Sequence, residues 1–220
     1  MSSKPDSSYP ELICELCSQF YPFGWFSGTG GGISIRTADH VYIAPSGVQK
    51  ERMQPDDIYV FDGKDMDKIV YDPSSRPDQA PSKPSACTPL FLAAFRLRDA
   101  HACIHSHSMN ALMATLCFEK EVRLTHLEMI KGIAGHGYHD ELVIPIIENT
   151  AHECDLADSL SQAITDYPKS VAVLVRRHGV YVWGNTWEDA KRHAEVLDYL
   201  FEVAIKMKAL NIDPSMPPEK

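Results

Sequence analysis

No stretch of this 220-residue chain approaches the ~18 consecutive apolar residues that a membrane-spanning helix needs, so no helical span is expected. The opening segment MSSKPDSSYPELI has no apolar core of the kind a secretory signal carries, so export is not expected either. Basic residues are scarce. Twenty-one Lys and Arg face thirty Asp and Glu, a formal net charge of −9, with no basic stripe. Non-specific binding to nucleic acid is therefore not expected, and an anionic ligand must be held by local features. Six cysteines lie scattered without a framework spacing. They point to reduced thiols in an intracellular, cytoplasmic protein rather than to a disulfide scaffold. There is no internal repeat and no break in composition.

What is there reads as one ordinary globular domain, 44% apolar and 23% charged. A polar tail over 1–8, a single catalytic domain over 9–210 and a C-terminal tail over 211–220 are expected. The pattern predicts a helix over 9–23. ISIR (33–36) and VYIA (41–44) predict a hairpin, and DIYVFD with KIVYD a second. Residues 72–86, rich in proline and serine, predict a long loop of the kind that often carries function. Thr88-Pro89 predicts a helix start, with Thr88 as cap and the helix running to about Arg98. A strand over 102–106, a helix over 108–117, a strand over 142–147 and a helix over 152–166 follow. Residues 121–133 fit no single pattern. VAVLVR and VYVW flank Arg177-His178-Gly179 as a third hairpin, and a helix from Trp187 to Leu210 closes the chain. Hairpins mixed with helices predict an α/β fold with a mostly antiparallel sheet.

The chemistry centres on Cys103-Ile104-His105-Ser106-His107-Ser108. On a strand, residues i and i+2 share a face, so His105 and His107 can aim both rings at one point. A catalytic zinc takes three protein ligands and keeps one position open. The alternative for a lone His-x-His is one buried, hydrogen-bonded ring and one exposed ring. His178, at a strand end beside Gly179, is the best third ligand. His136 and His139 sit among glycines and are poorly fixed, and the role of His126 stays open. GTGGG (28–32) is no dinucleotide fingerprint, because Ile33 stands where a glycine is required and a strand follows. It remains a run whose backbone amides can approach an anion, or a flexible turn. APSG (44–47) adds the Ser46 hydroxyl and the Gly47 amide. Cys14 and Cys17 read as core packing. Cys87, where the long loop enters a helix, is either a thiolate favoured by the helix N-terminus or an inert buried thiol.

GTGGGIS, APSG, KPSACTP, IHSHS and RRHGVYVWG, in this order, resemble the class II aldolase/adducin-like family over roughly residues 10–210. The resemblance implies a three-layer α/β/α fold around a mostly antiparallel sheet and a sugar-phosphate substrate. It implies one Zn2+ per subunit on His105, His107 and His178. It implies a phosphate site from Gly31, Gly32, Ser46, Gly47 and Ser85. It also implies a homotetramer with the site near a subunit boundary. The family's aldolases and epimerases carry a carboxylate where this chain has Cys87, which weighs against both activities. LTHLEMIKG (124–132) resembles a dehydratase branch of the family whose ketose-phosphate substrate ends in a methylthio group. That branch implies Glu128 as catalytic acid/base and Cys87 as a substrate contact. It also allows a protein partner in apoptosis signalling. The rival expectations are a zinc aldolase for another ketose phosphate and an interaction module with a vestigial site.

Overall fold

The computed structural model describes residues 5–75 and 83–218. Residues 76–82, the middle of the predicted long loop, and the termini 1–4 and 219–220 lie outside the described residues. The strands are β1 (Gly32–Arg36), β2 (His40–Ile43), β3 (Tyr59–Asp62), β4 (Ile69–Tyr71), β5 (Ala102–Ser106), β6 (Glu121–Leu124), β7 (Leu142–Ile147), β8 (Ala172–Val175) and β9 (Gly179–Gly184). The helices are α1 (Ser8–Phe20), α2 (Thr88–Arg98), α3 (Met109–Cys117), α4 (Ala157–Asp166) and α5 (Trp187–Ala209). The strands form one sheet in the order β4-β3-β2-β1-β5-β9-β8-β7-β6. Every pair is antiparallel except β7 with β8. The three hairpins and the mostly antiparallel sheet are therefore as expected.

Strand alternation divides the core between two faces. Ile33, Ile35, Ala102, Ile104 and Val182 pack with α1, α3 and α5. Val41, Ile43, Cys103, Val173, Tyr181 and Trp183 pack with α2 and α4 on the other face. The result is the α/β/α layering. α5 buries Ala190, His193, Ala194, Leu197, Leu200, Phe201 and Ala204, the i, i+3, i+4 stripe of a helix lying on a sheet. Its N-cap Thr186 accepts from the Asp189 amide. Among the described residues no helix is long and apolar enough to cross a membrane.

Several boundaries differ from the sequence reading. α2 begins at Thr88, but Cys87 is its N-cap, because Ser85 Oγ already accepts from the Cys87 amide at 3.2 Å and the turn forms one residue earlier. The segment 152–166 divides into a 3-10 turn, Glu153–Leu156, and α4. The segment 121–133 becomes β6 and a 3-10 turn, Glu128–Gly132. The expected tails are partly tied down. The Asp6 amide donates to the Tyr42 hydroxyl at 3.0 Å, and the Thr125 amide donates to the Pro214 carbonyl at 3.1 Å.

Candidate active site and metal centre

β5 and β9 are neighbours, and their register sets His105 opposite Tyr181 and Ser106 opposite Val180. Cys103, His105 and His107 alternate onto the face covered by α2 and α4. His107 lies one residue beyond β5 and is held by its amide, which donates to the Trp25 carbonyl at 2.9 Å. The β8–β9 turn brings in His178. Arg177 adopts the left-handed conformation, φ 56°, and its amide donates to Thr115 Oγ1 at 2.9 Å. Gly179 follows because a Cβ there would lie 2.1 Å from the Ser106 carbonyl oxygen. No side chain fits where β9 approaches the end of β5 this closely. A second glycine has the same kind of reason. A Cβ on Gly30 would meet His107 Nδ1 at 2.5 Å, so the Gly-rich loop lies directly against the His107 ring.

The three rings converge through their Nε2 atoms. His107 Nε2 lies 2.9 Å from His105 Nε2 and 3.2 Å from His178 Nε2. Ligands bonded at 2.0–2.1 Å with tetrahedral angles stand about 3.3 Å apart, so the spacing suits a zinc-sized ion. The outer nitrogens are fixed as well. His105 Nδ1 donates to the Val180 carbonyl at 3.2 Å, and His178 Nδ1 meets Asn149 Oδ1 at 3.2 Å. A carbonyl only accepts, so the hydrogen of neutral His105 sits on Nδ1 and its Nε2 lone pair faces inward. Burial first, then the neighbouring imidazoles, hold His107 down to about 3, and burial lowers His178 too. Both rings stay neutral, the form that binds metal. The donor set therefore fits a divalent cation.

Two residues absent from the sequence reading complete this end. Glu153 Oε1 lies 3.1 Å from His105 Nε2 and 3.8 Å from His178 Nε2. The Tyr181 hydroxyl donates to the same oxygen at 2.6 Å, and its ring stacks on His105 with centroids 4.1 Å apart and planes 10° apart. Burial opposes ionisation of Glu153, but a protonated His105 beside it, with hydrogen bonds from Tyr181 and Cys87, outweighs it and holds the carboxyl well below its ordinary range; beside a neutral His105 a bound cation would supply that charge. Cys87 is buried beside them, and burial together with the Glu153 charge pushes its thiol up to about 12. The helix N-terminus does not win here, and the inert-thiol alternative describes the resting state of Cys87.

The same cleft continues to the glycine loop, where Thr29, Gly30, Gly31, Ser46, Lys50 and Ser85 line it. Gly32 is instead the first residue of β1, paired with His105, and Gly47 supplies a left-handed turn, φ 72°. Neither of the two lines the cleft. Lys50, also missed in the sequence, is 2% exposed. Its Nζ donates to the Thr29 carbonyl at 3.1 Å and the Val48 carbonyl at 3.3 Å. Among the described residues no carboxylate is paired with it. Glu128 stands apart. It does not line the cleft of its own chain, its side chain is 73% exposed, and it pairs with Lys131 at 2.8 Å.

A family model, Class II Aldolase and Adducin N-terminal domain, matches residues 11–205. The chain belongs to that family. The match and the α/β/α layering agree with the resemblance read from the motifs. The chain is 54% identical over 221 residues to the methylthioribulose-1-phosphate dehydratase of Xenopus tropicalis, covering 97% of this chain and 90% of that one. It is 54% identical over 217 residues to a probable bifunctional methylthioribulose-1-phosphate dehydratase/enolase-phosphatase E1 of Vitis vinifera, covering 94% of this chain but 40% of that protein. Among solved structures, an L-fuculose 1-phosphate aldolase superposes with a TM-score of 0.76 at 20% identity, covering 98% of this chain and 92% of the other. That likeness establishes the class II aldolase fold. In this chain Cys87 caps α2, and among the described residues the carboxylate beside the converging histidines comes from the turn before α4.

Proposed function

We propose that this chain removes water from 5-methylthio-D-ribulose 1-phosphate to give 5-methylthio-2,3-dioxopentyl phosphate, a lyase step of methionine salvage. The observation that carries the reading is the near full-length identity, above one half, to relatives named for this dehydration. The convergent histidines and the cleft joining them to a buried lysine support it.

The substrate has a phosphate on C1, a ketone at C2 and hydroxyls at C3 and C4. Lys50, the Gly30 and Gly31 backbone and the Ser46 and Ser85 hydroxyls suit the phosphate. A buried ammonium held only by carbonyl oxygens is favoured by an anion beside it. The phosphate carbon adjoins the ketone, so an anion at this end directs C2 toward the histidines. His105, His107 and His178 hold the cation, zinc in this reading, which when bound supplies Lewis acidity to a carbonyl oxygen. Neutral Cys87 lies between the two ends and contacts the substrate without adding charge. Glu128 takes the C3 proton and returns it to the departing C4 hydroxyl. The C3–H and C4–O bonds break, water leaves, and the enol tautomerises to the diketone.

Glu128 acts from a neighbouring copy in a tetramer. Three observations support this arrangement. The cleft of one chain encloses about 80 Å3, against roughly 300 Å3 or more for ordinary small-molecule sites. Glu128 faces solvent. Met109, Met113 and Leu116, one i, i+4, i+7 stripe of α3, are exposed directly after the histidine strand. The six free thiols support a reducing compartment, the cytoplasm. The test adds methylthioribulose 1-phosphate to the zinc-loaded protein and follows products by NMR. Diketone phosphate is expected; a triose phosphate or unchanged substrate would overturn the reading.

A further inference from the structure

We propose that Glu153 is a fourth ligand of the cation held by His105, His107 and His178. The proposal rests on the reading of those histidines as a metal site. Glu153 opens the 3-10 turn in front of α4 and reaches the same sheet face as His105. Its Oε1 stands 3.1 Å and 3.8 Å from two of the three converging nitrogens. The first is close to the about 3.3 Å between ligands of a tetrahedral zinc, and the second is below the about 4.2 Å that two such bonds can span.

The hydrogen-bond inventory sharpens the case. His105 Nδ1 is committed as a donor to the Val180 carbonyl. The Nε2 lone pair of the neutral ring then faces both a carboxylate oxygen and His107 Nε2, at 3.1 Å and 2.9 Å. A lone pair and a carboxylate oxygen this close repel unless positive charge lies between them. A single proton on Nε2 points along one of these directions. A divalent ion beside His105 Nε2 would face the carboxylate oxygen and the imidazole nitrogens together. Glu153 is also oriented as ligating carboxylates are, by a hydrogen bond from outside the metal shell. The Tyr181 hydroxyl donates it at 2.6 Å, and the Tyr181 ring stacks against His105, so one residue positions two donors.

The experiment strips metal from the full-length protein and titrates Zn2+ back against a chromophoric chelator, then Co2+ with visible absorption as readout. Glu153→Gln keeps an acceptor for Tyr181 but loses the anionic oxygen. It is expected to weaken zinc at least ~10-fold, the low end of effects seen even for residues outside the metal shell, and to alter the Co2+ spectrum. Tyr181→Phe is expected to weaken zinc less and to leave the Co2+ band pattern in place. Wild-type zinc affinity and Co2+ spectrum in a folded Glu153→Gln protein would overturn the proposal. Should that variant not fold, Glu153→Asp keeps the charge one methylene short, and unchanged affinity and spectrum there would overturn it equally. His105→Ala separates the two readings. Wild-type zinc affinity in His105→Ala removes the three-histidine site itself, whereas loss there with no change in the Glu153 variants removes only Glu153.

Discussion

His105, His107 and His178 meet at the end of β5, and His126 and His139 meet in the loops after β6, yet the two groups are built differently. In the second group, His126 Nε2 lies 3.2 Å from His139 Nδ1, and Thr125 Oγ1 lies 3.0 Å from His126 Nδ1. Each contact is an ordinary hydrogen bond between a donor and an acceptor. His139 is exposed, and His126 sits on a left-handed residue, φ 55°. In the first group, three Nε2 atoms face one another while the outer nitrogens of His105 and His178 are fixed from behind. Closeness of imidazoles is common to both. Convergence of lone pairs on a frame of paired strands belongs to the first alone.

The strongest way to break this comparison is to remove rings from each group. His105→Ala, His107→Ala and His178→Ala are each expected to lower zinc affinity more than ~100-fold, beyond the span for residues outside the metal shell. Activity should fall with the metal. His126→Ala and His139→Ala should keep one zinc per chain by elemental measurement. Zinc lost from His126→Ala with zinc kept in His178→Ala would reverse the assignment.

The next largest effect is expected at Glu128, which is placed differently again. Its contact with Lys131 is the exposed i, i+3 pair that a solvated turn would show. Glu128→Gln should nevertheless cut turnover by ~10²–10⁴-fold, the usual span for a general acid–base group, with zinc content unchanged. Mixing Glu128→Gln with His105→Ala sharpens the point. If the carboxylate serves a neighbouring copy, subunit exchange should restore part of the activity that neither variant has alone. Full turnover in a zinc-replete Glu128→Gln protein would remove Glu128 from the chemistry.

The legible part of this site is the part set by local spacing. The i, i+2 histidines, the glycine beside His178 and all three hairpins follow from alternation and turn chemistry, and β5 has the limits that alternation predicts. Glu153, Tyr181 and Lys50 follow no local rule. Tyr181 reaches His105 through strand register, 76 residues of chain later. Glu153 reaches it because α4 happens to cover that face, and nothing in the segment AHECDL marks it. Lys50 reads as one basic residue in QKER until burial singles it out. Cys87 was visible as the first residue of interest after the loop, but its state depends on burial, which the sequence does not show.

That leaves Cys87 as the place where the smallest effect is expected. Its thiol touches the histidine end of the cleft and sits beside Glu153, but burial and that negative charge keep it protonated, near 12. A thiol held so high is a poor nucleophile at neutral pH, because the reactive form is the thiolate. In the proposed reaction it lines the cleft with a soft, uncharged group next to the sugar. Cys87→Ser keeps the hydrogen-bonding hydrogen and nearly the size, and replaces a polarisable sulfur by a better-hydrated oxygen. The expected outcome is a KM raised by several-fold to ~10-fold, the scale of one modest contact of about 1 kcal/mol, with kcat within a few-fold of wild type and zinc content unchanged. The steady-state split between KM and kcat reads this directly. Mass spectrometry of the wild-type protein during turnover should show the unmodified chain. A covalent adduct on Cys87, together with a dead Cys87→Ser protein, would mean that bound metal or substrate lowers the thiol far enough to attack, and would move Cys87 from substrate contact to nucleophile.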